Sequence, residues 1–198
     1  MHHLGHLYVA EGSRAFRFGA FIADGVRSPF FKSLPSEIQR GVRFHRWVDW
    51  QTDSHPAFKE ARRLLRPAAG RYAGLIVDLW LDVALGETWS CWSSDSLTAF
   101  EEEFRTKTLP AYRQWAPPTW QSFIESIEKE RLLLRFASAD GMKLHLQHFI
   151  QRKHLPLDYA YIIHVLQQEA VPLNHLLRQF WEEAHTWRYS ASAFALNS

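Results

Sequence analysis

Cysteine is almost absent from this 198-residue chain: Cys91 stands alone, so no intrachain disulfide can form. A reducing, cytoplasmic setting is the expectation. No uninterrupted apolar run approaches the roughly 18 residues of a membrane-spanning helix. The opening M-H-H-L-G-H has neither a basic n-region nor a continuous apolar stretch, so no signal peptide is expected. The common phosphate-binding and nucleophile signatures are missing too. There is no G-x-x-x-x-G-K-[ST], no G-x-G-x-x-G, no G-x-S-x-G and no H-E-x-x-H. Cys91, in W-S-C-W-S, has no diagnostic base beside it. These gaps set aside P-loop, dinucleotide-binding, nucleophile-elbow and zincin chemistry, and a cysteine nucleophile with them. No useful stretch alternates with a period of two, and no internal repeat or low-complexity run occurs.

What is present is bulk. Nine Trp and fourteen Phe within a 46% apolar composition are enough for the core of one domain. The pattern predicts an all-α, single-domain multi-helix bundle over 1–198, with site-bearing helices in 1–90 and supporting helices in 95–190. Expected helices run from Arg14 to about Val26, through the stretch around His45, from His55 to Arg66 (ending before Pro67), and from Arg71 to Trp89. Further helices are expected from Leu97 to Leu109, with Glu101-Glu102-Glu103 as a solvated turn, and from Thr119 to about Ala137. The last two run from Met142 to Lys153 and from Tyr159 to Trp187, the latter interrupted at Pro172. Charge is uneven. Residues 1–66 hold eleven Lys/Arg against six Asp/Glu, while 67–198 hold twelve against fifteen. A basic N-terminal third suits an anionic partner or substrate, and a chance asymmetry would look the same.

The chemistry-bearing stretch is R-F-H-R-W-V-D-W-Q-T-D-S-H-P, from Arg43 to Pro56. His45, Asp49 and Asp53 stand at i, i+4 and i+8, within a stripe of roughly 80° on one helical face. Phe44, Trp47, Val48 and Trp50 supply apolar faces for docking. An imidazole and two carboxylates so placed form half of a metal site, or a set of side chains salt-bridged to Arg43 and Arg46. The second half is on R-Y-A-G-L-I-V-D-L-W-L-D, where Asp78 and Asp82 ride an otherwise greasy helix. Buried carboxylates need a partner: a metal, an arginine or His45. Asp24 closes a helix, where the macrodipole disfavours an anion, so a cation is expected near it. His3 and His6 sit beside the apolar face of the first segment, a setting that more often packs a histidine than makes it a ligand. His145, His148, His154, His164, His175 and His185 share no spacing and read as packing or surface residues.

Assembled, these segments resemble the acyl carrier protein phosphodiesterases, a family distantly related to the HD phosphohydrolases. L-G-H-L-Y, F-G-A-F-I-A-D-G-V, L-P-S-E-I-Q-R-G-V-R-F-H-R-W-V-D-W-Q-T-D-S-H-P and R-Y-A-G-L-I-V-D-L-W-L-D carry the likeness, most strongly over 1–90. The resemblance implies hydrolysis of the phosphodiester joining 4′-phosphopantetheine to a serine of the carrier. It implies a divalent metal, manganese or alternatively magnesium, on His6, Asp24, His45, Asp49, Asp78 and Asp82. Asp53 and Arg46 would be catalytic, and Arg40 and Arg43 would dock an acidic carrier protein. No nucleic-acid or membrane partner is implied. Three positions depart from the family pattern: His2 and Ala20 where it carries Asn, and Val83 where it carries His. The rival readings are a non-catalytic helical protein that binds an acidic partner, and a small-molecule phosphohydrolase of the same build. The sharpest expectation is geometric: His45, Asp49, Asp78 and Asp82 should converge on one ion from two helices.

Overall fold

A computed structural model describes residues 1–196, and among them every regular element is helical. In chain order these are α1 (His3–Val9), α2 (Arg14–Ile22), α3 (Phe30–Ser33), α4 (Ser36–Ser54), α5 (Pro56–Ala69), α6 (Ala73–Glu87) and α7 (Leu97–Glu103). They continue as α8 (Leu109–Tyr112), α9 (Gln121–Glu130), α10 (Leu132–Phe136), α11 (Ala139–Lys153), α12 (Tyr159–Gln168), α13 (Ala170–Ala184) and α14 (Trp187–Leu196). Several starts are set by side-chain caps. Ser13 accepts from the Phe16 amide, Ser138 from Gly141 and Asp158 from Tyr161. At α5 the His55 ring accepts from the Ala57 amide, with Pro56 in the first turn.

The apolar α6 lies in the middle, against α1, α5, α11 and α13. Trp181 of α13 buries its indole there and donates to the Leu81 carbonyl at 2.9 Å. The tightest crossing joins α2 to α4. A Cβ added to Gly19 would lie 2.1 Å from the Ile38 carbonyl oxygen, and one added to Gly41 would lie 2.0 Å from that of Phe16. Backbone meets backbone at that crossing, so a methyl group cannot be absorbed by a side chain turning aside. Gly41→Ala should therefore cost about 1–3 kcal/mol or more, read as a lower Tm. It should also pull the Ala20 carbonyl away from His45.

Five expectations change. α5 runs through Pro67 to Ala69 and ends at Gly70, whose φ of 53° lies in the left-handed region. Pro67 falls in the last turn, where one missing amide breaks little of the ladder. Glu101 is not solvated but fully buried, held by Arg105 at 3.0 Å and Arg131 at 3.1 Å. α7 and α8 are separated by a wide π-type turn, Phe104–Thr108. The segment after Trp120 breaks at Arg131, whose φ is 51°. Finally, the interruption near Pro172 falls at Glu169 instead. Pro172 sits in the first turn of α13, where its ring costs no hydrogen bond.

Candidate metal centre

Helices α1 and α4 and the 3-10 turn Ala23–Gly25, which follows α2, bring four of the expected residues together. His45 leaves the middle of α4 at the α2 crossing, and its Nδ1 lies 2.8 Å from the Ala20 carbonyl oxygen. A carbonyl only accepts, so Nδ1 carries the proton and Nε2 points the other way. Nε2 meets Asp24 Oδ1 at 3.2 Å and Asp49 Oδ2 at 3.2 Å. The other oxygen of Asp49 is 3.1 Å from Nε2 of His6, on α1. The two imidazoles stack with centroids 3.7 Å apart. His6, His45 and Asp49 each offer a donor atom within 4.8 Å of the other two.

Electrostatics set the charge state of this cluster. Burial alone would push His45 down, but Asp24 and Asp49 outweigh it and raise its pKa to about 9. The same contacts hold Asp24 and Asp49 well below the usual carboxylate range, with burial opposing them. His6 goes the other way, lowered to about 3 by burial and by its neighbour His45. Neither nitrogen of the buried His6 makes an aligned hydrogen bond. His6 is neutral with unmatched nitrogens, whereas His45 carries the positive charge that the two carboxylates face; a divalent cation bound here would take the place of the Nε2 proton of His45. His45 shows the carbonyl-anchored Nδ1–H common behind metal-bound imidazoles. The Ala20 departure has no effect on that anchor, because the contact is made by the backbone.

The remaining expected residues have other partners. Asp82 is fully buried, but its oxygens accept from the Leu4 and Gly5 amides at 2.8 and 2.9 Å, at the start of α1. Burial raises its pKa and these amides oppose the rise. His2 stands 3.3 Å from Asp82, so an imidazole does meet this carboxylate, though not from position 83. Asp78 accepts from the Met1 ammonium at 2.8 Å. Val83 lines a crevice with Trp80, Glu87, Lys143 and Ile163, about 100° around α6 from Asp82. A histidine there would enter that crevice. Asp53 is exposed, with Arg62 3.9 Å away. Arg46 donates to the Val26 carbonyl at 3.3 Å, and both Arg46 and Arg43 lie over the Phe31 ring. Arg40 pairs with Glu37.

A cleft of about 760 Å³ that the sequence expectations do not include lies between the start of α1 and helices α9, α10 and α11. His2, His3, His145 and His148 line it with Trp120, Phe123, Phe136 and Phe149. The available signal was the i, i+3, i+7 spacing of His145, His148 and Arg152 on α11.

Comparison with known proteins points the same way. The model of the family described as acyl carrier protein phosphodiesterase matches residues 1–184. A protein of that name from Yersinia enterocolitica is 30% identical over 182 residues, covering 91% of this chain and 94% of its own. One from Klebsiella pneumoniae is 31% identical over 153 residues, covering 77% and 75%. One from Escherichia coli O6:K15:H31 is 29% identical over 157 residues, covering 77% and 79%. No solved structure matches. In no region does the likeness stop short of the cluster, since the matched span holds α1, α2 and α4 entire; this chain belongs to the acyl carrier protein phosphodiesterase family.

Proposed function

We propose that the chain is a divalent-metal phosphodiesterase that hydrolyses the 4′-phosphopantetheine–serine ester of holo-acyl carrier protein. The observation that supports this is the convergence of His6, His45 and Asp49, whose donor atoms lie within 4.8 Å of one another, with Asp24 on His45. His6, Asp24, His45 and Asp49 would hold the ion; manganese suits this mixed imidazole–carboxylate set, and magnesium is the alternative. When bound, the ion supplies Lewis acidity to the phosphoryl group. Water adds to phosphorus, the bond to the serine oxygen breaks, and 4′-phosphopantetheine leaves the carrier with a free serine hydroxyl. In this scheme Asp49 clamps both imidazoles, and the Ala20 carbonyl fixes the tautomer of His45. Arg46 has N–H groups beyond the one given to Val26 and steadies the phosphate. Asp53 acts at one remove by holding Arg62. Asp78 and Asp82 shape the start of α1 from which His6 projects.

Incubation with holo-acyl carrier protein and Mn²⁺ tests the proposal. The expected result is released 4′-phosphopantetheine and a carrier lighter by that group. An intact carrier across several metals, with binding retained, would favour the non-catalytic reading.

The docking surface sharpens as well. Arg40 and Arg43 are engaged by Glu37 and Phe31; on α5, Arg63 pairs with Glu60 and Arg62 faces Asp53, yet Lys59, Arg62, Arg63 and Arg66 with Arg71 line a groove of about 390 Å³ that has no acid among its lining residues. Cations stacked at i, i+3 and i+4 repel by a few tenths of a kcal/mol each, so this ridge is better suited to an anionic partner than to isolation. Arg62 sits over Gly74, one turn before Asp78. Arg66→Glu should lower the association rate of the acidic carrier about tenfold at low salt, more than Arg43→Glu does, and the difference should fade as salt rises. Equal effects in stopped-flow binding would return docking to α4.

A further inference from the structure

We infer that the cleft between the start of α1 and helices α9, α10 and α11 is the subsite for the slender organic arm of the phosphate ester. This rests on the phosphodiesterase reading above and assigns a place to the half of the substrate that is not protein.

Position comes first. His2, at the cleft floor, precedes His6 by four residues, one helical turn or about 6 Å. His2 also stands 3.3 Å from Asp82 with an unmatched Nδ1. At the other edge Trp120 packs on Gly25, the residue after Asp24; a Cβ there would lie 2.2 Å from the indole nitrogen. The cleft is therefore walled by the helix start that leads to His6 and by the indole that packs against the turn carrying Asp24. A group esterified to a phosphate held at the cluster has this space before it.

Size and lining come next. About 760 Å³ lies in the usual range for a small organic ligand and is too small to admit a folded protein. Aromatic and imidazole rings alternate around it. His3 lies 4.8 Å from Phe123 and 5.7 Å from Trp120, and His145 lies 4.7 Å from Phe136 and 5.6 Å from His2. Flat apolar faces broken by single nitrogen donors and acceptors suit a chain of methylenes and amides. No Asp or Glu lines the cleft, and Arg152 and Lys153 stand at its rim. His145 to Arg152 spans seven residues of α11, about 10 Å, so the rim cations are far enough out to draw an anion inward without holding its phosphate.

The test plugs the cleft. Ser126 and the exposed Ser122 line the α9 wall one turn apart, away from the cluster. Ser126→Trp and Ser122→Trp should each lower kcat/KM for holo-acyl carrier protein, relative to that for bis(p-nitrophenyl) phosphate, by at least about tenfold. That is the scale of one lost contact surface. By calorimetry with Mn²⁺ present, each should weaken 4′-phosphopantetheine binding by a similar factor, with inorganic phosphate affected far less. Matching melting temperatures and Mn²⁺ affinities would show that both variants fold. If wild type cleaves the carrier and neither plug alters the ratio, the subsite is wrong and the phosphodiesterase reading stands. If wild type cleaves nothing, yet binds 4′-phosphopantetheine in a way both plugs abolish, the subsite stands and the reaction falls. If wild type does not bind the arm, the inference is overturned.

Discussion

Asp49→Ala should leave a folded protein with no measurable hydrolysis of holo-acyl carrier protein. Asp49 touches both imidazoles, through one oxygen to His6 at 3.1 Å and the other to His45 at 3.2 Å. Loss of a partner behind a metal ligand costs about 10–100-fold in affinity or activity. Loss of a ligand that organises two others should exceed the upper end of that range. Its carboxylate is 44% exposed, but it helps to hold the buried His45 in its charged form, so the metal-free variant should remain folded while melting below wild type. Mn²⁺ affinity by calorimetry, together with release of 4′-phosphopantetheine, reads both effects. Retention of wild-type affinity and rate to within threefold would remove Asp49 from the centre.

Asp82 should behave in the opposite way. It is wholly buried, and its two oxygens take the Leu4 and Gly5 amides that would otherwise be orphaned at the start of α1. Asp82→Ala leaves those amides unmatched inside the protein and opens space beneath α1. Removing one side of such a buried charged contact costs about 3–5 kcal/mol. Metal-free Asp82→Ala should therefore melt far below metal-free wild type. Asp82→Asn keeps one acceptor and should recover part of the loss. A residue serving only as a metal ligand would give a different result: unchanged stability without metal, and lost affinity with it. Melting curves of the two variants in chelator decide between these roles.

The fold was largely legible because its signals are local. Ser13, Ser138 and Asp158 cap helices from within the sequence, and the apolar α6 reads as buried wherever it is placed. Half of the centre was legible for the same reason: His45 and Asp49 are one turn apart on a single helix. Its other half depended on packing. His6 comes to Asp49 across 43 positions, and nothing at Ala20 announces that its carbonyl will orient His45. Asp82 illustrates the limit most clearly. A buried carboxylate needs a partner, and the candidates weighed were a metal, an arginine and His45, but the partners found are backbone amides, which no side-chain pattern can show. The contact of His145 with His2, at the far end of the chain, and the place of Val83 on the wall of a crevice likewise depend on packing that no local pattern shows.

The central claim is that one divalent cation is held by His6, His45 and Asp49, with Asp24 beside them. Diffraction from crystals soaked in Mn²⁺, with data collected on the high-energy side of the manganese absorption edge, tests it most directly. The account predicts one strong anomalous peak within about 2.5 Å of the donor atoms of His6, His45 and Asp49. A peak between Asp78 and Asp82 instead, or none at a metal concentration that supports hydrolysis, would contradict it.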